Sequence, residues 1–119
     1  MTDYSKMTDE QINEAIFKAK GWVELPPPAA PPWQRPSDGG VESWHSSFPP
    51  DYIHDWRLCG ELLEEMYAGG GEPSLRSDDT FGWHCSAQIQ KANSMGIGVF
   101  ATTPLRAICE AWMEWSEEQ

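Results

Sequence analysis

The residues of this chain that could form a metal centre are its histidines and cysteines, namely His45, His54, His84, Cys59, Cys85 and Cys109. His84 and Cys85 are adjacent, so in a strand their side chains would point to opposite faces. The sequence contains no CxxC and no HxxxH spacing, which are spacings that metal sites use. This pattern predicts core cysteines and surface histidines, with no metal and no cofactor.

Nucleophilic and phosphate-binding chemistry also find little support. A thiol nucleophile needs a partly exposed cysteine beside a histidine, whereas all three cysteines lie in apolar patterns that predict burial. Asp78-Asp79 precedes a predicted strand, which favours a solvated turn over a pair of catalytic carboxylates. Gly69-Gly70-Gly71 follows a predicted helix rather than opening one, unlike a phosphate-binding loop. We therefore expect that the chain is not an enzyme.

The composition favours a single acidic domain. The chain has 119 residues and a net charge of −11, from 19 acidic and 8 basic residues. Its length fits one domain over residues 1–119 with a modest core. Its charge disfavours direct contact with nucleic acid or anionic membranes, and it fits a basic partner or simply a soluble protein. The chain shows no signal peptide and no membrane-spanning run, and its number of cysteines is odd. We therefore expect the protein to reside in a reducing cytoplasm.

Three segments have the periodicity of amphipathic helices. Thr8 and Gln11 form a capping-box pattern ahead of an apolar stripe that ends at Gly21. Asp51 is the predicted cap of a second helix over residues 52 to about 68. The last helix has Thr103 as N-cap and Pro104 at the first helical position, where a missing N–H costs nothing. Its apolar face comprises Leu105, Ile108, Cys109 and Trp112.

Alternating apolar and polar residues predict strands between the second and third helices. Residues 81–89 and 97–101 alternate clearly, a turn at Asn93-Ser94 separates them, and residues 73–78 form a weaker strand. The order of elements predicts an α+β fold in which a small antiparallel sheet of about three strands is packed by three helices, like an α-β-α sandwich. The predicted core comprises Ile12, Ile16, Trp56, Leu62, Leu63, Phe81, Cys85, Ile97, Val99, Leu105, Ile108 and Trp112.

A Pro-rich insert over residues 25–50 separates the first two helices. Its prolines disfavour helix and interior strand, and Asp38-Gly39-Gly40 predicts a turn. The insert is long for an ordinary connection, and it carries more aromatic residues than a disordered linker. We therefore expect a long loop whose Trp33 and Trp44 are exposed contact residues.

Several segments in order along the chain carry a family resemblance: Gly21-Trp22, Pro50-Asp51-Tyr52, Leu62-Leu63-Glu64-Glu65-Met66, Trp83-His84-Cys85 and the stretch from Ala101 to Ala111. Together they resemble the phage ABA-sandwich domain family, small proteins of tailed bacteriophages and prophages that are mostly of unknown function. The resemblance covers about residues 8–113 apart from the Pro-rich insert. It implies an α-β-α fold and a phage origin, and it transfers no catalytic residue because the family has none established.

The resemblance and the charge together favour a phage-encoded, non-enzymatic binding protein in the cytoplasm of an infected bacterial cell. Anti-defence proteins, CRISPR inhibitors among them, are often small and acidic, so we expect inhibition or modulation of a host protein by protein–protein contact. The partner would be a host protein such as a nucleic-acid-binding immune effector, and the chain a monomer or a homodimer. The predicted contact residues are Trp33, Arg35, Trp44 and His45.

A sponge that sequesters a small cyclic nucleotide immune signal is the alternative. Such a site would stack bases on an exposed tryptophan and hold phosphate with basic side chains. The candidate residues are Trp83, Arg57, Arg76 and Lys91, beside the tryptophans of the insert. The low number of basic residues disfavours this alternative, although a local pocket can override net charge.

Overall fold

The computed structural model describes residues 3–89 and 96–118. Its helices are α1 (Asp9–Ala19), α2 (Trp56–Ala68) and α3 (Pro104–Glu117), and short 3₁₀ turns at Tyr4–Lys6 and Tyr52–His54 precede α1 and α2. Its strands are β1 (Val23–Glu24), β2 (Trp33–Ser37), β3 (Gly40–Trp44), β4 (Ser74–Asp78), β5 (Gly82–Ala87) and β6 (Ile97–Ala101). The predicted turn at Asn93-Ser94 lies outside the described residues.

The strands form two antiparallel sheets of three strands each, ordered β1-β2-β3 and β4-β5-β6. Helix α3 packs against β5 and β6 of the second sheet, and it also packs against α1 and α2. Most of α3 is buried as a result. The predicted α+β class, with three helices packed on a small antiparallel sheet, is confirmed.

Local capping explains where α1 and α3 begin. The Thr8 hydroxyl accepts a hydrogen bond from the Gln11 backbone N–H at 3.2 Å, and the Gln11 side chain accepts one from the Thr8 N–H at 2.9 Å. The Thr103 hydroxyl accepts from the Arg106 N–H at 3.2 Å, and Pro104 is the first residue of α3. Each contact satisfies a backbone donor that the helix itself leaves unpaired. Both predicted helix starts are confirmed.

The start of α2 differs from the predicted one. Asp51 forms no capping hydrogen bond, and its carboxylate instead contacts the side chains of Asn13 and His54. The Asp55 carboxylate accepts from two backbone N–H groups of the first turn, at 2.9 and 3.4 Å. Helix α2 therefore begins at Trp56, after a separate 3₁₀ turn.

Most of the predicted core is confirmed, because the structure buries Ile12, Ile16, Leu62, Cys85, Val99, Leu105, Ile108 and Trp112. Leu63 and Ile97 are half-buried against this core. The prediction that Trp56 and Phe81 are buried is wrong, since they are 59% and 60% exposed. Trp56 is the first residue of α2, and Cα–Cβ bonds tilt toward the helix N-terminus, so its side chain projects past the end of the helix. Phe81 lies in the turn before β5, outside the strand alternation.

The Pro-rich insert contains a hairpin, and the prediction that it is a loop throughout is wrong: β2 and β3 lie within it and form a sheet with β1, which directly precedes it. Strands β2 and β3 are joined by the two-residue turn Asp38-Gly39, in which Gly39 has a φ of +82°. Such turns favour glycine because it adopts positive φ without steric cost. Among the residues that the structure describes, strand β1 pairs with Trp33 and Gln34 alone. Beyond them β2 is an edge strand on that side, which is where sheets tolerate a proline such as Pro36.

Trp33 anchors this small sheet to α1. It is 1% exposed, and its ring lies edge-on to Phe17, with 5.1 Å between ring centroids. Phe17 also stacks on Trp22 at 4.6 Å and meets Trp44 edge-on at 5.6 Å. We call these four residues the aromatic cluster. The expectation that Trp33 is an exposed contact residue is therefore wrong, because its ring is buried against Phe17.

Candidate functional site

An open recess of about 710 Å³ lies where α2 and α3 begin. Three aromatic side chains line it, and their exposed fractions are 59% for Trp56, 60% for Phe81 and 46% for Phe100. The rings of Phe81 and Phe100 are 5.0 Å apart between centroids. We call this recess the aromatic groove. Large apolar side chains exposed together are typical of surfaces that bind another molecule.

Hydrogen-bonded caps position two of these aromatic residues. Asp55 caps α2 and so fixes the backbone at Trp56. In the turn between β4 and β5, the Asp78 carboxylate accepts from the Phe81 backbone N–H at 2.8 Å and from a second N–H at 2.9 Å. These hydrogen bonds lower the pKa of Asp78. The groove is therefore pre-formed, which reduces the entropy lost when a ligand docks.

Phe100 belongs to the exposed face of the second sheet. It pairs with His84 across β5 and β6, and the two rings are 4.5 Å apart between centroids. A Cβ atom on Gly98 would lie 2.9 Å from the His84 Nε2, so glycine leaves room for the imidazole beside Phe100. The His84 ring therefore packs beside the Phe100 ring on the exposed face of the second sheet.

An ion-pair cluster centred on Arg106 forms the polar wall of the aromatic groove. Arg106 donates from Nε to the Glu110 carboxylate at 2.6 Å and from Nη1 to the Asp9 carboxylate at 2.8 Å. Its Nη2 donates to the backbone carbonyls of Tyr4 and Met7 at 2.8 and 2.6 Å. Burial raises the pKa of Glu110, although Arg106 opposes this rise. Because all three of its nitrogens are engaged, Arg106 joins the N-terminal segment, α1 and α3 rather than presenting a cation to a ligand.

A second recess of about 210 Å³ adjoins the aromatic groove. Asp9 and His54 line both recesses. Glu10, Asp51 and Phe48 also line the smaller one, together with Asn13 and Pro49, and Phe48 is 77% exposed. We call this recess the acidic cleft. Its surface combines three carboxylates with one aromatic side chain.

His54 is held at the boundary between the two recesses. Its Nδ1 lies 2.9 Å from the Asp51 carboxylate, which also accepts from the Asn13 side chain at 2.9 Å. The hydrogen bond and charge of Asp51 raise the pKa of His54. Burial alone would raise the pKa of Asp51, but the hydrogen bonds from Asn13 and His54 lower it. A positioned imidazole can transfer protons, yet among the described residues no hydroxyl or thiol side chain hydrogen-bonds to it.

The structure brings three residues of the predicted protein contact surface together, but through internal packing rather than on an exposed surface. Trp33 is buried, and the Arg35 guanidinium lies 4.8 Å from the ring centroid of Trp22. Trp44 is half-buried, and its indole N–H donates to a backbone carbonyl at 2.8 Å. His45 is exposed. Trp33, Arg35 and Trp44 thus pack the aromatic cluster, and they do not form an open binding surface.

Two of the residues predicted for the alternative nucleotide site lie on opposite faces of the second sheet. Trp83 lies on the face of β5 that packs against the core. Arg76 pairs with His84 on the opposite face of the sheet, because neighbouring residues of a strand point to opposite sides. The Arg57 side chain is 80% exposed at the start of α2, and Lys91 lies outside the described residues. Trp83 and Arg76 therefore cannot line one pocket.

All three cysteines are free and buried, as the sequence predicts. Cys59 Sγ lies 3.6 Å from Cys109 Sγ, where α2 meets α3. Burial raises the pKa of Cys85 to about 11, so its thiol stays protonated near neutral pH. Within residues 3–89 and 96–118, no group of three or more His, Cys, Asp or Glu side chains is arranged to hold a metal ion.

The sequence pattern predicts burial for Trp56 and Phe81, because both continue the apolar pattern of the segments that follow them. Of the three groove residues, Phe100 has the clearest sequence signal of exposure. It is out of phase with Ile97, Val99 and Ala101, so strand alternation places an aromatic residue on the solvent face.

No helix in the described part of the chain is long and apolar enough to cross a membrane. No family model and no curated protein matches the sequence. The structure is similar to that of a phage protein from Bacillus cereus ATCC 14579, with a TM-score of 0.65 and 16% sequence identity. The match covers 97% of this chain and 98% of that protein. The chain thus shares its fold with a phage protein, and membership of the ABA-sandwich family stays a prediction.

Proposed function

We propose that this chain is a phage-encoded, non-enzymatic binding protein that acts by protein–protein contact through the aromatic groove. The observation that carries this proposal is the joint exposure of Trp56, Phe81 and Phe100 around one pre-formed recess. Removing apolar surface from water is favourable by about 25 cal/mol for each Å² buried, and exposed aromatic rings lack this free energy. A partner that covers these rings recovers that free energy.

The type of side chain favours a protein partner. Tryptophan is enriched among the few residues that dominate binding energy at protein interfaces, and aromatic residues in general are enriched there. The groove also has the polar border that such interfaces have, since His54 and the Arg106 cluster lie beside the aromatic rings. The hydrogen-bonded backbone at Trp56 and Phe81 also favours binding, because less conformational entropy is lost when a partner docks.

The fold and the charge favour a target inside the infected bacterium. The similarity in fold to a phage protein supports a phage origin. A net charge of −11 would attract the basic surface of an immune effector that binds nucleic acid, and it would speed their encounter. We therefore propose an anti-defence role, similar to that of a CRISPR inhibitor, in the host cytoplasm.

Phage plating on defended bacteria tests this function. A host strain would carry one CRISPR or restriction system at a time and express the wild-type chain or the triple variant Trp56→Ala/Phe81→Ala/Phe100→Ala. We expect the wild-type chain to restore plaques against at least one system and the triple variant to fail.

Tyr67→Ala is the matched control, because Tyr67 is 73% exposed on α2 and lies outside the groove. Circular dichroism and thermal melting would establish that all variants fold alike. A triple variant that restores plaques as well as wild type would refute the groove. A wild-type chain that protects phage against no system would refute the anti-defence role.

A further inference from the structure

We infer that the segment received by the aromatic groove is basic: one of its apolar side chains enters the groove, and a neighbouring arginine or lysine enters the acidic cleft. This inference rests on the proposed function and adds the chemistry of the partner. It follows from the adjacency of the two recesses, from their charge and from the exposed Phe48.

The two recesses lie side by side, because Asp9 and His54 line both. A single peptide segment can therefore occupy them together. The larger recess, of about 710 Å³, offers aromatic walls, and the smaller one, of about 210 Å³, offers carboxylates. Neighbouring positions of one segment would thus meet two different chemistries.

The charge of the paired recesses favours a cation. Four acidic side chains line them, namely Asp9, Glu10, Asp51 and Glu110, against the basic side chains of His54 and Arg106. The guanidinium of Arg106 is already paired with Asp9 and Glu110. Within the described part of the chain Glu10 forms no ion pair, and its side chain is exposed. A ligand cation would therefore meet an exposed carboxylate that is free to pair with it.

Phe48 supplies the observation that is independent of charge. It is 77% exposed, and it lines the cleft beside Glu10 and Asp51. An aromatic face next to carboxylates suits arginine and lysine, because their cations lie over aromatic rings and their aliphatic stems pack on apolar surface. A phosphate-bearing ligand would bring its negative charge against the same carboxylates. A second copy of this chain would add a further net charge of −11, which disfavours self-association.

Selection from a displayed library of random 12-residue peptides tests the chemistry without assuming a partner. The wild-type chain is the bait, and the triple variant Trp56→Ala/Phe81→Ala/Phe100→Ala removes peptides that bind elsewhere. We expect the surviving peptides to combine arginine or lysine with a large apolar residue. Survivors that lack basic residues would overturn the inference.

Two variants with the same change in net charge locate the cation site. Glu10→Gln removes a carboxylate of the acidic cleft, whereas Glu64→Gln removes an exposed carboxylate of α2 that lines neither recess. Fluorescence anisotropy with a selected, labelled peptide would measure the affinities. We expect Glu10→Gln to weaken binding about tenfold, as loss of a close charge partner does, and to flatten its salt dependence. We expect Phe48→Ala to weaken binding and Glu64→Gln to leave it unchanged.

Equal effects of Glu10→Gln and Glu64→Gln would overturn the inference, because attraction would then come from overall charge alone. Tighter binding of a cyclic dinucleotide than of any peptide, lost in the triple variant, would overturn it in favour of a nucleotide site. A dimer seen by sedimentation and abolished by Trp56→Ala would assign the groove to self-association. If the triple variant fails in the plating assay while Glu10→Gln behaves as wild type in both assays, the groove stands and only the basic partner is refuted.

Discussion

Trp33 of β2 and Phe17 of α1 meet edge to face, with 5.1 Å between their ring centroids. This contact joins the sheet of the Pro-rich insert to the helices. The insert is therefore part of the folded structure, and the exposed aromatic residues of the aromatic groove lie on other elements.

Trp33→Ala should therefore destabilise the fold. Removing a buried tryptophan costs about 3–5 kcal/mol, and we expect that loss in urea denaturation. Val41→Ala is the control, because Val41 is 60% exposed on the adjacent strand and its truncation should change stability by less than about 0.5 kcal/mol. Equal midpoints for the two variants would show that Trp33 is not an anchor.

Local rules were sufficient for α1 and α3. The side chain of Thr8 or Thr103 decides each start through hydrogen bonds within one turn, and such short-range chemistry is visible in the sequence. The hairpin of β2 and β3 differs from the predicted loop because the flanking segments contain a proline and no apolar–polar alternation. The Asp38-Gly39 dipeptide, which favours two-residue hairpin turns, is its one local signal.

The groove depended on tertiary structure. The sequence patterns around Trp56 and Phe81 are apolar and in phase with true core residues. Trp56 is exposed because it is the first residue of α2, and Phe81 is exposed because it lies in the turn before β5. The hydrogen bonds of Asp55 and Asp78 set the helix start and that turn. Which apolar residues stay uncovered is decided by elements far apart in sequence, so periodicity alone could not reveal it.

Arg106→Met should leave the Glu110 carboxylate buried without its cation. Breaking a buried pair in this way costs about 3–5 kcal/mol. Glu110→Gln introduced into the same variant should restore part of the loss, and a double-mutant cycle in urea would measure the coupling. Additive effects of the two substitutions would contradict this role of the ion pair.

The loss in Arg106→Met should shrink as the pH falls. Burial raises the folded-state pKa of Glu110 above its ordinary value of 4.5, and removal of Arg106 takes away the group that opposes this rise. A raised pKa means that the folded state holds the proton more tightly, so stability is gained below the unfolded-state pKa and lost as pH rises through the folded-state pKa. Urea midpoints at several pH values would show a pH-independent loss if Glu110 were not involved.

His54 should stabilise the fold at acidic pH. The hydrogen bond and charge of Asp51 raise its pKa, and Asp9 and Glu10 add to the effect. Its contribution is fully present below the ordinary value of 6.5 and is lost as pH rises through the folded-state pKa. The thermal midpoints of wild type and His54→Gln should therefore converge from about pH 6 to pH 8. Asp51→Asn should remove the same pH dependence, and a difference that grows with pH would contradict this assignment.

The thiols should be structural and inert. The three cysteines are buried, so a thiol reagent should react slowly with the folded protein and label three groups after denaturation. The melting temperature should be the same in reductant and in chelator, because neither a disulfide nor a metal is expected to hold the fold. A large drop in either solution would contradict this.

The most direct measurement of the aromatic groove is a binding footprint. Isotope-labelled protein would be titrated with a peptide selected against the wild-type chain, and amide and indole chemical shifts would be followed by NMR. We expect the largest changes at the Trp56 indole and at the backbone amides of Phe81, Phe100 and Glu10, with little change at Val41 and Tyr67. Changes centred on Val41 and the neighbouring strands, with the Trp56 indole unmoved, would contradict the groove as the contact surface.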